Sequence, residues 1–134
     1  MGIEGLVTIK EIEGMLATHD GYLKGEMDRR KEPLEYLDDV GKLADYIGGE
    51  VEEIKPGDWA IGKEIFPGVK AYFVYQRGDD EVPSNLRVLF GGDKVRTVPG
   101  EDLVNLVVGY ANHMLRYIRE TNPDKRLPRI CYQV

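Results

Sequence analysis

The sequence predicts an α+β fold: an antiparallel sheet of about four to five strands packed against a long C-terminal helix, with helices at the N-terminal end. Three observations carry that prediction. Apolar residues recur at helical spacing before residue 48 and again from about 99 to 121. Between those stretches lie short β-type runs punctuated by Pro-Gly and Gly-Gly pairs. The connections between the runs are too short for parallel crossovers, so neighbouring strands must run antiparallel.

Thr8 and Glu11 stand at capping-box spacing, where a hydroxyl and a carboxylate each satisfy a free backbone amide. Ile9, Ile12 and Leu16 follow at helical spacing, so a helix is expected from there to about Thr18. Asp20 to Lys31 read neither way, with Tyr22, Leu23 and Met27 alone to anchor them. Pro33 suits a first helical turn, where its missing N–H costs nothing. Leu34, Leu37, Val40, Ala44 and Ile47 then form one apolar stripe, so a single helix is expected up to a stop at Gly48-Gly49. Glu32, Glu35, Asp38 and Asp39 crowd its first half, a placement the helix dipole favours and that needs no function.

Val51 to Lys55 and Trp59 to Phe66 are strand-like runs separated by Pro56-Gly57-Asp58. After Pro67-Gly68 comes the strongest strand, Val69 to Arg77. Ala71, Phe73 and Tyr75 fall on one face and Tyr72 and Val74 on the other, so this strand belongs in the middle of a sheet covered on both sides. Gly78 to Asn85 is a polar loop, Leu86 to Phe90 another strand, and Gly91 to Lys94 a turn into a last short strand at Val95 to Val98. The longest helix follows, from about Pro99 to Thr121. Glu101 and Asp102 sit in its first turn and Arg116 and Arg119 in its last. Leu103, Leu106, Val107, Tyr110, Met114, Tyr117 and Ile118 form its main stripe, and Val104, Val108, Ala111 and Leu115 widen it. Only Asn105, Gly109, Asn112, Arg116 and Arg119 are left for a polar side. A helix this apolar must pack on the sheet and on the N-terminal helices, or on a second subunit. Arg129 to Val134 alternates like an edge strand.

At 134 residues and 15.2 kDa the chain is expected to form one domain, with no linker or repeat. It contains no apolar run of about 18 residues, so no membrane span is expected, and its first residues lack a secretory pattern. One cysteine, Cys131, permits no internal disulfide and fits a reducing cytoplasm. Residues 1–58 hold 15 acidic and 7 basic side chains, and the rest hold 9 and 11. An acidic chain repels polyphosphate, and the scattered Arg116, Arg119, Lys125, Arg126 and Arg129 have no interleaved aromatics, so nucleic acid is not an expected partner.

No Walker or Gly-x-Gly-x-x-Gly pattern is present and Cys131 has no second thiol beside it, so no cofactor and no metal are expected. Arg129, two residues from Cys131 on the expected strand, would lower its pKa. Asp79, Asp80 and Glu81 are the densest carboxylates. Three acids on one turn can attract a hard cation, but their spacing is not that of an EF-hand, and a structural or partner-facing loop is the preferred reading. His113 shares a helix face with Tyr110 and Tyr117 and has no nucleophile motif near it, so packing is preferred over catalysis. His19, beside Asp20, falls at an expected helix end, where a cation is favourable.

Gly57-Asp58-Trp59, Pro67 before a strand ending at Tyr75, Gly78-Asp79-Asp80-Glu81-Val82-Pro83, Val88-Leu89-Phe90 and a leucine-bearing helix together resemble a domain of unknown function. The resemblance covers about the C-terminal half of the chain, and Val82 stands where that family would carry phenylalanine. It implies a setting in anaerobic bacteria and archaea, sometimes beside iron–sulfur or corrinoid-protein modules, and a shared surface at residues 78–83. It transfers no catalytic residue.

The leading expectation is therefore a non-enzymatic binding or accessory domain of anaerobic metabolism. Arg77, Asp79, Asp80, Glu81 and Trp59 would contact an unknown protein partner or small ligand. The alternative is a metal-assisted hydrolase using Asp79, Asp80 or Glu81 with His113, and a third reading is a homodimer through the long helix.

Overall fold

A computed structural model describes residues 5–14 and 19–134. Its elements are α1 (Ile9–Glu13), α2 (His19–Asp28), a 3-10 helix (Glu32–Tyr36), α3 (Val40–Ile47), β1 (Glu50–Glu52), β2 (Trp59–Phe66), β3 (Val69–Gln76), β4 (Asn85–Gly91), α4 (Gly100–Thr121) and a second 3-10 helix (Arg129–Tyr132). The strands form one antiparallel meander in the order β1-β2-β3-β4. The α+β class with its long C-terminal helix is as the sequence predicts.

Local chemistry explains most boundaries. Thr8 and Glu11 form the reciprocal capping box of α1. Gly14, at φ 78°, caps α1 after one and a half turns, and the expected continuation through Leu16 to Thr18 lies outside the described residues. Residues 20–31, which the pattern left open, are largely the helix α2, with Leu23 and Met27 buried. His19 opens that helix instead of closing one, so the dipole disfavours a cation there; its Nδ1 meets the Glu13 carboxylate instead.

The single helix expected from Pro33 to Ile47 is two elements. After the 3-10 turn, Leu37 is extended (ψ 131°). Asp39 then accepts from the Gly41 and Lys42 amides as the N-cap of α3. The Asp39 carboxylate stands in for the carbonyls of a preceding turn, so a new helix can start there with its first amides satisfied. Gly48, left-handed at φ 76°, ends α3 as expected.

Two expected strands are absent. Residues 95–98 run through successive turns, with the Lys94 amide donating to the Gly68 carbonyl and the Thr97 amide to that of Lys94. Gly92 sets this direction: at φ 107°, a Cβ on it would lie 2.3 Å from the Gly68 carbonyl oxygen. The tail forms a 3-10 helix after Pro128 because Leu127 and Cys131 bury themselves, and Arg119 clamps it by donating to the Cys131 and Val134 carbonyls.

The core lies between the sheet and α4. Val69, Ala71, Phe73 and Tyr75 of β3 join Leu86, Val88 and Phe90 of β4 and Leu103, Val107, Met114 and Ile118 of α4 in one buried cluster. α1, α2, α3 and both 3-10 helices pack along the flanks of α4. The opposite face of β3 is also covered, since Tyr72 and Val74 are buried. The Tyr72 ring lies over Gly62 and Gly91, Leu6 also lies against Gly91, and Val74 lies against Gly57.

Each large apolar side chain in this cluster contributes about 1.5–3 kcal/mol of burial. Met114→Ala should therefore lower stability by about 2–5 kcal/mol, seen as a lower urea midpoint at unchanged slope. Lys24→Ala, on a side chain 77% exposed, should change it by no more than about 0.5 kcal/mol.

Candidate functional site

The structure brings two of the five candidate residues together. β2 begins at Trp59 and β3 ends next to Arg77, and the register pairs Trp59 with Tyr75. Their rings stack at 5.3 Å between centroids. Asp58 ties this corner shut: its amide donates to the Tyr75 carbonyl, and its carboxylate accepts from the Arg77 amide. Facing the pair, the 3-10 helix supplies Leu34 and Glu35, and the link from it to α3 supplies Asp38. Together they enclose a hollow of about 190 Å³.

Its electrostatics are mixed. The Arg77 guanidinium has no carboxylate within ion-pair distance among the described residues. Asp38 is committed: it accepts from the Tyr117 hydroxyl and from the Asp39 amide, both at 2.8 Å. The Tyr117 hydrogen bond, with help from that amide, holds the Asp38 carboxyl below its usual range. Burial, then the Asp38 hydrogen bond, pushes the Tyr117 phenol up to about 12. Burial and the Glu35 charge raise the Tyr75 phenol, whose hydroxyl lies beside the Ser84 side chain without a hydrogen bond of good geometry.

Asp79, Asp80 and Glu81 do not line this hollow. The Asp79 carboxylate turns back on its own loop and accepts from the Glu81 and Val82 amides at 2.8 and 2.7 Å. Those two bonds depress its pKa and give it a turn-forming role. Asp80 and Glu81 stay exposed at the loop, beside Val82.

His113 sits elsewhere, its ring 4.5 Å from that of Tyr46 on α3. It borders a shallow hollow with Leu106, Gly109, Tyr110 and Arg116, which includes none of the loop acids. Leu106 also borders a neighbouring apolar hollow of about 520 Å³ beside the exposed Phe66. Among the described residues no three His, Cys, Asp or Glu side chains cluster as a metal site would require, and no helix is long and apolar enough to cross a membrane.

Cys131 is corrected too. Burial raises its pKa, and the cation beside it is Arg119 instead of Arg129. The sequence also missed Glu35 and Asp38, which passed as helix-dipole acids. The Asp38-Asp39 doublet before Val40 is a capping signal that could have exposed the break bringing them to the site.

Two tests follow from these contacts. Tyr117→Phe should cost about 1 kcal/mol at neutral pH. The wild-type advantage holds above the ordinary carboxylate pKa of about 3.9 and fades as pH falls through the lowered Asp38 value. It also fades as pH rises from about 10 towards about 12, where Tyr117 ionises. Urea unfolding across pH measures both limbs. Cys131, fully buried, should resist a thiol reagent in the native chain and react at once in denaturant.

The chain matches the family model described as Domain of unknown function (DUF3786) over residues 32–113. No curated protein and no solved structure matches it. The matched span does not coincide with the C-terminal half: it begins in the first 3-10 helix, takes in Glu35 and Asp38, and ends at His113 within α4. It therefore includes every residue lining the Trp59–Arg77 hollow. With more than half of its length matched, the chain belongs to the family Domain of unknown function (DUF3786).

Proposed function

We propose that the chain is a non-enzymatic binding domain that engages a partner protein at the end of the sheet marked by Trp59, Arg77 and the loop of residues 78–83. The supporting observation is the hollow of about 190 Å³ that joins an uncommitted guanidinium, a stacked indole and two carboxylates. Its volume falls below the roughly 300–1,000 Å³ of sites for small molecules and cofactors. It suits one side chain of a protein partner, with Asp80, Glu81 and Val82 as an exposed rim. Aromatic and arginine anchors are the residue types that dominate such contacts. The family resemblance extends this reading to an accessory role in anaerobic metabolism, beside iron–sulfur or corrinoid proteins.

Affinity purification of the full chain from its native source, with partners identified by mass spectrometry, tests the proposal. Trp59→Ala and Arg77→Glu should each reduce recovery of the specific partner by about tenfold or more, an anchor-sized effect. Charge reversal at Asp80 and Glu81, which leaves the Asp79 turn intact, should reduce it further. Thermal unfolding checks that the variants remain folded. Unchanged recovery with all of these variants folded would remove the reading.

A further inference from the structure

α4 keeps one stripe that the described elements leave open. Asp102, Gly109 and Arg116 recur at seven-residue steps, so they share a face with a drift of about 20° per step. Asn105 and His113 fall between them at equal distances from Gly109. Asp102, Asn105 and Gly109 are exposed, and His113 and Arg116 are half-buried. A Cβ on Gly109 would meet nothing within 4 Å. No described residue uses that space, yet glycine in a helix interior costs stability relative to alanine. What a bare Cα on an open face permits is the close approach of another backbone.

Charge is distributed evenly about the same point. Asp102 and Arg116 each lie about 10.5 Å along the axis from Gly109, at the helical rise per residue. Neither has an opposite charge within ion-pair distance among the described residues. Glu120, one turn beyond Arg116, accepts instead from the Tyr46 hydroxyl at 3.1 Å. Two hollows lie along the stripe and share Asn105 and Leu106. The one of about 520 Å³ is bordered by Phe66, whose ring is 48% exposed, and the other by His113 and Arg116.

We infer that this face seats a second copy of the chain, with the two α4 helices antiparallel and crossing at Gly109. A two-fold axis there sets Asp102 of each copy opposite Arg116 of the other, and Asn105 opposite His113. A parallel pair would instead set Asp102 on Asp102 and Arg116 on Arg116. The His113 ring and the apolar stem of Arg116 from one copy then cover Leu106 and Phe66 of the other. A two-fold interface needs a surface complementary to itself. An acid and a base at equal distances on either side of a bare crossing point meet that need, whereas a different protein would impose no such symmetry. One helix pair makes an interface at the small end of the range, so dissociation in the micromolar range is expected. The inference shares no residue with the Trp59–Arg77 hollow and does not depend on it.

Sedimentation equilibrium of the full chain, from micromolar to millimolar concentration, should show a monomer–dimer equilibrium that weakens with added salt. Asp102→Lys and Arg116→Glu each place like charges at both contacts, and each should raise the dissociation constant by about tenfold or more. Mixing these two variants restores both opposite-charge pairs, so they should form a heterodimer of near wild-type strength although neither pairs well with itself. Gly109→Leu should abolish the dimer and leave the chain folded, because the position is open and leucine suits a helix better than glycine. Circular dichroism checks the fold of each variant, and the Gly109→Leu result decides alone if a charge variant unfolds. The inference is overturned if the chain stays monomeric at millimolar concentration. It is also overturned if the dimer survives Gly109→Leu or both charge variants, which would place the contact on another face, or if the folded charge variants fail to pair when mixed.

Discussion

Leu103, Val107, Met114 and Ile118 leave water in one direction, onto the row of Val69, Ala71, Phe73 and Tyr75, and the remaining elements take their positions from that contact. A helix of 22 residues with apolar side chains around most of its circumference cannot be satisfied by a sheet alone. α2 and α3 therefore close over its flanks, and the 3-10 helices cover what is left. β1 is correspondingly minor: three residues, with Val51 half exposed, finish the edge of the sheet.

The same constraint accounts for the candidate site. Asp38 and Asp39 divide two jobs between neighbouring carboxylates, one receiving the Tyr117 hydroxyl from α4 and the other capping α3. The bend between them carries Glu35 towards the end of β3. Polar residues meet there because a helix has to start at that point on the core. Much of the acidity of the first 58 residues is used in this way, in caps and in pairs such as Lys31–Asp28 and Arg29–Glu26.

The periodic parts of the fold were legible in the sequence. β2 runs from Trp59 to Phe66 as the pattern indicates, and α4 begins one residue after Pro99. What misled was alternation without a partner: residues 95–98 and 129–134 alternate, yet local turns and burial of Cys131 decide their conformation. The break at Leu37 was hidden because its apolar stripe continues across it. The site was legible only in part. Trp59 and Arg77 stood out by type, whereas Glu35 and Asp38 reach them through a bend that spacing does not reveal. His113 read correctly as a packed side chain, although its partner is Tyr46, from a different helix.

Arg30, just beyond α2, is almost wholly buried, and its guanidinium donates to the Asn112 side chain on α4 and to the Glu26 carbonyl behind it. A planar cation with donors in two directions can brace both partners at once, which a single ammonium point charge cannot do. α2 is thus bolted to the long helix by a side chain that solvent hardly reaches. Because the Glu26 carboxylate of α2 itself lies 3.6 Å from that guanidinium, the helix carries its own counter-charge, and the bond to Asn112 makes the tilt of α2 on the long helix a matter of one polar contact as well as of apolar packing.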